Sequence, residues 1–200
     1  MDWLATWGVA MGAAWLSGIK MYASVLTLGL LQHFGWARLP GDLHVLGDWW
    51  VIGIAAALCL VEFVADKIPA VDSAWDAVHT FIRIPAGAVL ATAAFGHFDP
   101  RIRLLAFLLG GGVALASHGT KAAARLAVNT SPEPFSNIAL SVIEDAGSVA
   151  LSFLAAFHPV VMLAVVGVLV GFGYLFVRKL ARAVRRLFRR TSPTVGKRMA

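Results

Sequence analysis

Cysteine is almost absent from this 200-residue chain: Cys59 stands alone, which excludes an intrachain disulfide and a multi-cysteine metal site. Charge is scarce as well. Asp, Glu, Lys and Arg make up 14% of the residues and hydrophobic ones 59%, where soluble domains carry roughly a quarter charged residues, so an ordinary water-soluble core is excluded. The chain also lacks His-Glu-x-x-His, Gly-x-Ser-x-Gly and a phosphate-cradling glycine loop, and with them the commonest hydrolase and nucleotide-binding chemistries. It has neither the Asp-Gly and Ala-Arg pattern of membrane alcohol phosphotransferases nor the paired aspartates of prenyl-diphosphate enzymes. Its start, "MDWLATWGVAMGAAW", has no basic n-region and runs on into a full apolar segment, so it reads as a retained span rather than a cleaved signal peptide.

What fills the chain is apolar sequence in stretches close to the roughly 20 residues needed to cross a bilayer. Six spans are expected, at about 4–31, 49–66, 81–96, 103–126, 137–157 and 159–179. Breakers separate them: Pro40, Gly41 and Gly47 in the first loop, "HFDP" in the third and "NTSPEP" in the fourth. The expected fold is therefore all-α, a polytopic membrane helix bundle. Nine of the seventeen basic residues fall from Arg178 onward, and the positive-inside tendency puts that end in the cytoplasm, against anionic headgroups. An even count of spans returns the N-terminus to the same side. The clustering of the basic charge at a membrane-side tail argues against a nucleic-acid partner.

Between the second and third spans, "VDSAWDAVHTFIR" reads as a short helix with Asp72 or Ser73 as N-cap after Pro69. Asp72, Asp76, His79 and Arg83 line one face and Val71, Trp75, Val78 and Ile82 the other, as for a helix lying along the interface or capping the bundle from the cytoplasm.

Several charges lie where a bilayer makes them expensive, at about 2.5–3.5 kcal/mol each at mid-depth. Lys20 follows Ser17 and Gly18 in "WLSGIKMYASV", where a local helix break is expected; "LASHGTKAAARL" repeats the Gly-x-Lys with His118, Gly119 and Lys121. Each segment precedes a span bearing a carboxylate pair, Glu62 with Asp66 and Glu144 with Asp145. The arrangement suggests two three-span repeats in inverted orientation, although glycine and glutamate are 44 residues apart in one half and 25 in the other. Two readings compete: a polar site or pathway, and buried ion pairs that only hold helices together. His118 fits a proton relay or a packed, hydrogen-bonded histidine. Asp66, Asp72, Asp76 and His79 are hard ligands suited to magnesium or calcium, but no metal motif accompanies them, and the metal question stays open.

The stretch "VEFVADKIPAVDSAWDAVHTFIRIPAGA", residues 61–88, together with "SGIKMY" and "SVIEDAGS", resembles the bacterial membrane family catalogued as domain of unknown function 4126. The resemblance covers roughly residues 8–170. It implies a membrane fold and no particular activity; the basic tail and the long first loop lie outside it.

The reading that results is one transmembrane domain, 1–180, made of halves at about 4–96 and 103–179, with a basic cytoplasmic tail, 181–200. It is expected in the bacterial inner membrane, without a cofactor, with the lipid bilayer as its partner and a homo-oligomer as a further expectation. Its expected role is moving an ion or small polar solute along Lys20, Glu62, Asp66, His118, Lys121, Glu144 and Asp145, with Asp72, Asp76, His79 and Arg83 at a cytoplasmic mouth. The alternative is a non-enzymatic scaffold or lipid-binding protein with structural ion pairs; a lipid-modifying enzyme stands third.

Overall fold

The computed structural model describes residues 2–128 and 134–191, without the side chains of residues 69–70, 72–73, 134, 184 and 186–191. The Asp72 side chain, most of "NTSPEP" and the tail after Thr191 therefore lie outside the described residues. Among those described, the chain is all helical. It runs through α1 (Trp3–His33), a 3-10 segment (Gly41–Gly47), α2 (Trp49–Ala65), α3 (Pro69–Ala93), α4 (Pro100–Val128), α5 (Pro134–Phe157) and α6 (Pro159–Thr191). The last four helices all begin on proline, whose fixed φ suits a first helical turn and whose missing N–H would be unpaired there anyway.

α1 is the centre of the bundle, packed against every other helix. Its backbone leaves the helical region at Lys20 (φ −142°, ψ 74°), and the chain turns back there. Trp3 packs on Phe95 and Phe98, with ring centres 5.8 and 5.4 Å away. At the other end of α1, His33 Nδ1 lies 2.8 Å from the Gly47 carbonyl, and Gly41 and Asp42 lie against Ala93, Ala94 and Gly96. Both ends of α1 thus reach the end of the bundle where α3 gives way to α4, and Lys20 is the tip of a helical hairpin. The arms are about 25 and 20 Å long at 1.5 Å per residue.

This reversal bears on two expectations. The first arm of α1 runs alongside α4 in the same direction: Gly18 abuts Ala114, Ser117 and His118, and Lys121 reaches the Ile19 carbonyl. Inverted copies would be antiparallel, so the inverted three-plus-three repeat is not confirmed. α4 also passes Gly119 and Lys121 as unbroken helix. The first arm of α1 adds a passage through the bundle, so Trp3 and the basic end of α6 lie at opposite ends: Gly8 abuts Pro159 at the start of α6, whereas Gly173 abuts Thr120 a few turns later.

The close approaches need small residues. A Cβ on Gly18 would overlap Ser117 Oγ and the Ala114 carbonyl, and one on Gly87 would crowd Ala114 and Ala14, so these glycines let α1, α3 and α4 touch backbone to backbone.

One expectation is corrected at α3. The short interfacial helix and the third span are one continuous helix that carries Pro85 within it, and Ser17 Oγ donates to the Arg83 carbonyl (2.7 Å), tying α1 to α3 near that proline. Its faces are also inside out relative to a soluble helix. Val78 and Phe81 are 62% and 82% exposed while His79 and Arg83 are buried, the arrangement expected when lipid surrounds the bundle and polar groups must find partners within it.

By length and composition α1, α4, α5 and α6 are able to cross a membrane, and α2 becomes a fifth when joined to the 3-10 segment, which it meets at a 70° bend. Trp3, Trp36, Trp49 and Trp50 are exposed near the end of the bundle where α1 begins and ends, as in an interfacial aromatic belt.

Candidate functional site

Turning a helix back leaves the carbonyls before the turn without their i+4 amides. Two of these are met from α4: Lys121 Nζ is 3.3 Å from the Ile19 oxygen and His118 Nδ1 is 3.3 Å from the Gly18 oxygen. The other ring nitrogen of His118 lies 2.7 Å from Thr80 Oγ1, whose hydroxyl also lies 2.9 Å from the Asp76 carbonyl of its own helix. The hairpin tip is thus tied to α3 and α4 by side chains one helical turn apart on α4.

Around this tip the embedded charges form one alternating chain. Asp145 holds Lys20 (2.8 Å), which also pairs closely with Asp66. Asp66 lies 3.9 Å from Arg125, which is 2.8 Å from Glu144. Glu144 is 3.9 Å from Lys121, and Lys121 is 3.0 Å from Asp76. Asp76 holds Arg83 (2.7 Å), whose other terminal nitrogen pairs closely with Glu62. Four helices and the ends of a fifth contribute: α1, α3, α4 and α5, with Glu62 and Asp66 at the last turn of α2.

The sequence-expected residues Lys20, Glu62, Asp66, Lys121, Glu144 and Asp145 are therefore brought together, and His118 sits beside them. Two residues assigned to an outer mouth, Asp76 and Arg83, belong to the same chain. Arg83 is 0% exposed and faces inward, because its helix presents its apolar side outward. His79 is buried too, stacked on Trp75 (4.2 Å between ring centres) with Nε2 3.1 Å from the Tyr22 hydroxyl. Arg125 was missed by the sequence reading. The signal was present, since His118, Lys121 and Arg125 follow at i, i+3 and i+7 and so share a face, but Arg125 lies at the end of a span, where basic residues ordinarily snorkel.

Partnering is incomplete. One oxygen each of Glu62, Asp66 and Asp145 is buried without a hydrogen-bond partner. On α5, the hydroxyls of Ser141 and Ser148 are in the same condition, whereas Ser24, Thr27, Thr80, Thr92, Thr120 and Ser152 each return to a carbonyl of their own helix. Asn137, Ser141, Glu144, Ser148 and Ser152 recur at helical spacing and make a polar stripe about 22 Å long, and α5 packs against α1.

Among the described residues no three His, Cys, Asp or Glu side chains are grouped so as to hold a metal ion; the acids alternate with cations instead. The arrangement can store, share and pass protons or host a charged guest.

Comparison with known proteins gives one match. A family model described as Domain of unknown function (DUF4126) matches residues 8–179. No curated protein and no solved structure matches.

Proposed function

The chain belongs to the family described as Domain of unknown function (DUF4126), and from the geometry of its own residues we propose that it is a small membrane transporter or channel for an ion or small polar solute. The observation that carries this reading is the chain of nine charged side chains gathered at the reversal of α1. Non-helical backbone at membrane depth is tolerated where it is buried in protein or lines a polar cavity, and broken helices facing ionisable groups are a recurrent solution for moving solutes. Packing needs far fewer charges.

In this reading α2 to α6 cross the membrane and α1 enters and leaves from one side as a hairpin. The basic end of α6 faces the cytoplasm, with Arg178, Arg182 and Arg185 against anionic headgroups. The charged chain then lies nearer the cytoplasmic side, and the N-terminus lies outside. The domain extends to about residue 180 with the tail beyond it; the bacterial inner membrane and a homo-oligomer belong to the same proposal. Changes in protonation among Glu62, Asp66, Glu144 and Asp145, balanced by Lys20 and Lys121, drive the change in access.

A static scaffold is the second reading, favoured by one observation: every cation in the chain has a carboxylate within 4 Å. The two readings separate in reconstituted vesicles. Fluxes of protons, alkali cations, small anions and small neutral solutes are compared for the wild type, Glu62→Gln and Glu144→Gln. Transport predicts a solute whose flux falls about tenfold or more, equivalent to a barrier change of about 1.4 kcal/mol, in correctly folded variants. Fluxes unchanged by both substitutions would contradict it.

A further inference from the structure

Resting on the transport reading, we propose that the species handled at this site is a small monovalent cation, and that the Lys20 ammonium is a tethered stand-in occupying its place between Asp66 and Asp145. The sign of the charge argues first. The described chain joins five carboxylates to four cations, leaving one negative charge in excess when all are ionised, and a buried excess of that sign attracts a proton or cation and repels an anion.

The placement of Lys20 argues next. It lies at the non-helical residue of α1, so its position can shift by rotation at an existing break rather than by unwinding a helix. Its two carboxylates come from different elements, the end of α2 and α5. Asp66 Oδ1 and Asp145 Oδ2 have no hydrogen-bond partner, and neither do Ser141 and Ser148, which lie one turn before and one turn after Asp145 on α5. Both hydroxyls are at least nine-tenths buried. With Lys20 withdrawn, Asp66 Oδ1 and Asp145 Oδ2 supply carboxylate oxygens of the kind hard cations take, and Ser141 and Ser148, about 10 Å apart along α5, flank that point on the polar stripe as separate unpartnered hydroxyls. The Asp145 side chain is 26% exposed, against at most 14% for any other member of the chain, which makes it the point of entry.

The exchange balances in charge and atoms. A cation settles between Asp66 and Asp145, the Lys20 ammonium gives one proton to water and becomes a neutral amine, and the charge of the site is unchanged.

The groups acting on Lys20 are Asp66 and Glu62 from the end of α2 and Asp145 from α5. Arg125 of α4 faces Asp66, Lys121 of α4 faces Glu144 and Asp76, and Arg83 of α3 faces Glu62, so these act on Lys20 through the carboxylates. α6 has no charged residue before Arg178, and the 3-10 segment packs at the opposite end of α1.

The test uses the full chain in vesicles of phosphatidylethanolamine and phosphatidylglycerol with a trapped pH dye and gradients of sodium, potassium or methylammonium. At least one of these is expected to drive protons the opposite way, saturably, with half-saturation rising ~tenfold per pH unit of acidification where cation and proton compete. Lys20→Met should abolish cation-driven proton movement while retaining cation uptake. Lys20→Arg, which keeps the ion pairs but does not lose its proton, should fold normally and carry out no exchange.

Exchange by Lys20→Arg at the wild-type rate would overturn the proposal. So would an anion or neutral solute whose flux depends on Glu62 and Glu144 while all three cations are inert, an outcome that leaves the transport reading standing. Absence of any carboxylate-dependent flux would overturn both.

Discussion

Replacing Arg83 with methionine removes the one ion-pair partner that Glu62 has among the described residues. Arg83 is 0% and Glu62 1% exposed, and Asp76, the other partner of Arg83, retains Lys121 at 3.0 Å. The loss therefore falls on Glu62, which must stay charged in apolar surroundings or take up a proton. Removing one member of a buried pair costs about 3–5 kcal/mol. At roughly 2–4 °C per kcal/mol for a chain of this size, the melting temperature in mild detergent should fall by about 6–20 °C. Arg83→Met combined with Glu62→Gln removes the stranded charge with its partner and should recover more than half of that loss, a coupling of roughly 1.5 kcal/mol or more. Melting is followed by the loss of monodisperse protein on size exclusion after heating. A single variant less than about 1 kcal/mol below wild type, or a double variant at the sum of the two single losses, would refute the claim that this pair is desolvated and interdependent.

In a Cys59→Ala background, Asp2→Cys and Arg38→Cys should react with a membrane-impermeant thiol reagent from the same side, and Arg182→Cys from the opposite side; a straight α1 would split the first pair. Gly18→Leu should cost at least roughly 1–3 kcal/mol by forcing α1 away from Ser117 and Ala114, read as a lower melting temperature, with Gly119→Leu, at an open position, closer to wild type.

Much of the bundle is legible in the sequence because hydropathy and proline act locally. The apolar runs expected at 49–66 and 137–157 correspond to α2 and α5 within a few residues, and Pro100 and Pro159 fix where α4 and α6 begin. A break near Lys20 was expected from Ser17 and Gly18, but its size was not legible, because what caps the freed carbonyls is His118 and Lys121, a hundred residues away. The continuity of α3 was hidden by Pro85 and by the density of charge between Asp72 and Arg83, which mimics an interfacial helix; only the lipid-facing Val78 and Phe81 reveal the polar face as the inner one. The gathering of Lys20, Glu62, Asp66, Lys121, Glu144 and Asp145 followed from the cost of burying charge. Arg125 escaped because a basic residue at a span end needs no partner to be explained, and the apparent inverted repeat arose from a Gly-x-Lys too short to carry a direction.

The most direct test of the central claim is whether water reaches the stripe on α5 in the intact membrane. Ser141→Cys and Ser148→Cys are small changes on buried positions, made in the Cys59→Ala background and exposed to a membrane-impermeant thiol reagent from the cytoplasmic side. A polar pathway predicts that both are labelled, and that Lys20→Met alters the rate. Cysteines that stay unreactive from either side while Arg182→Cys is labelled would mean a dry interior with static ion pairs, and would contradict the account.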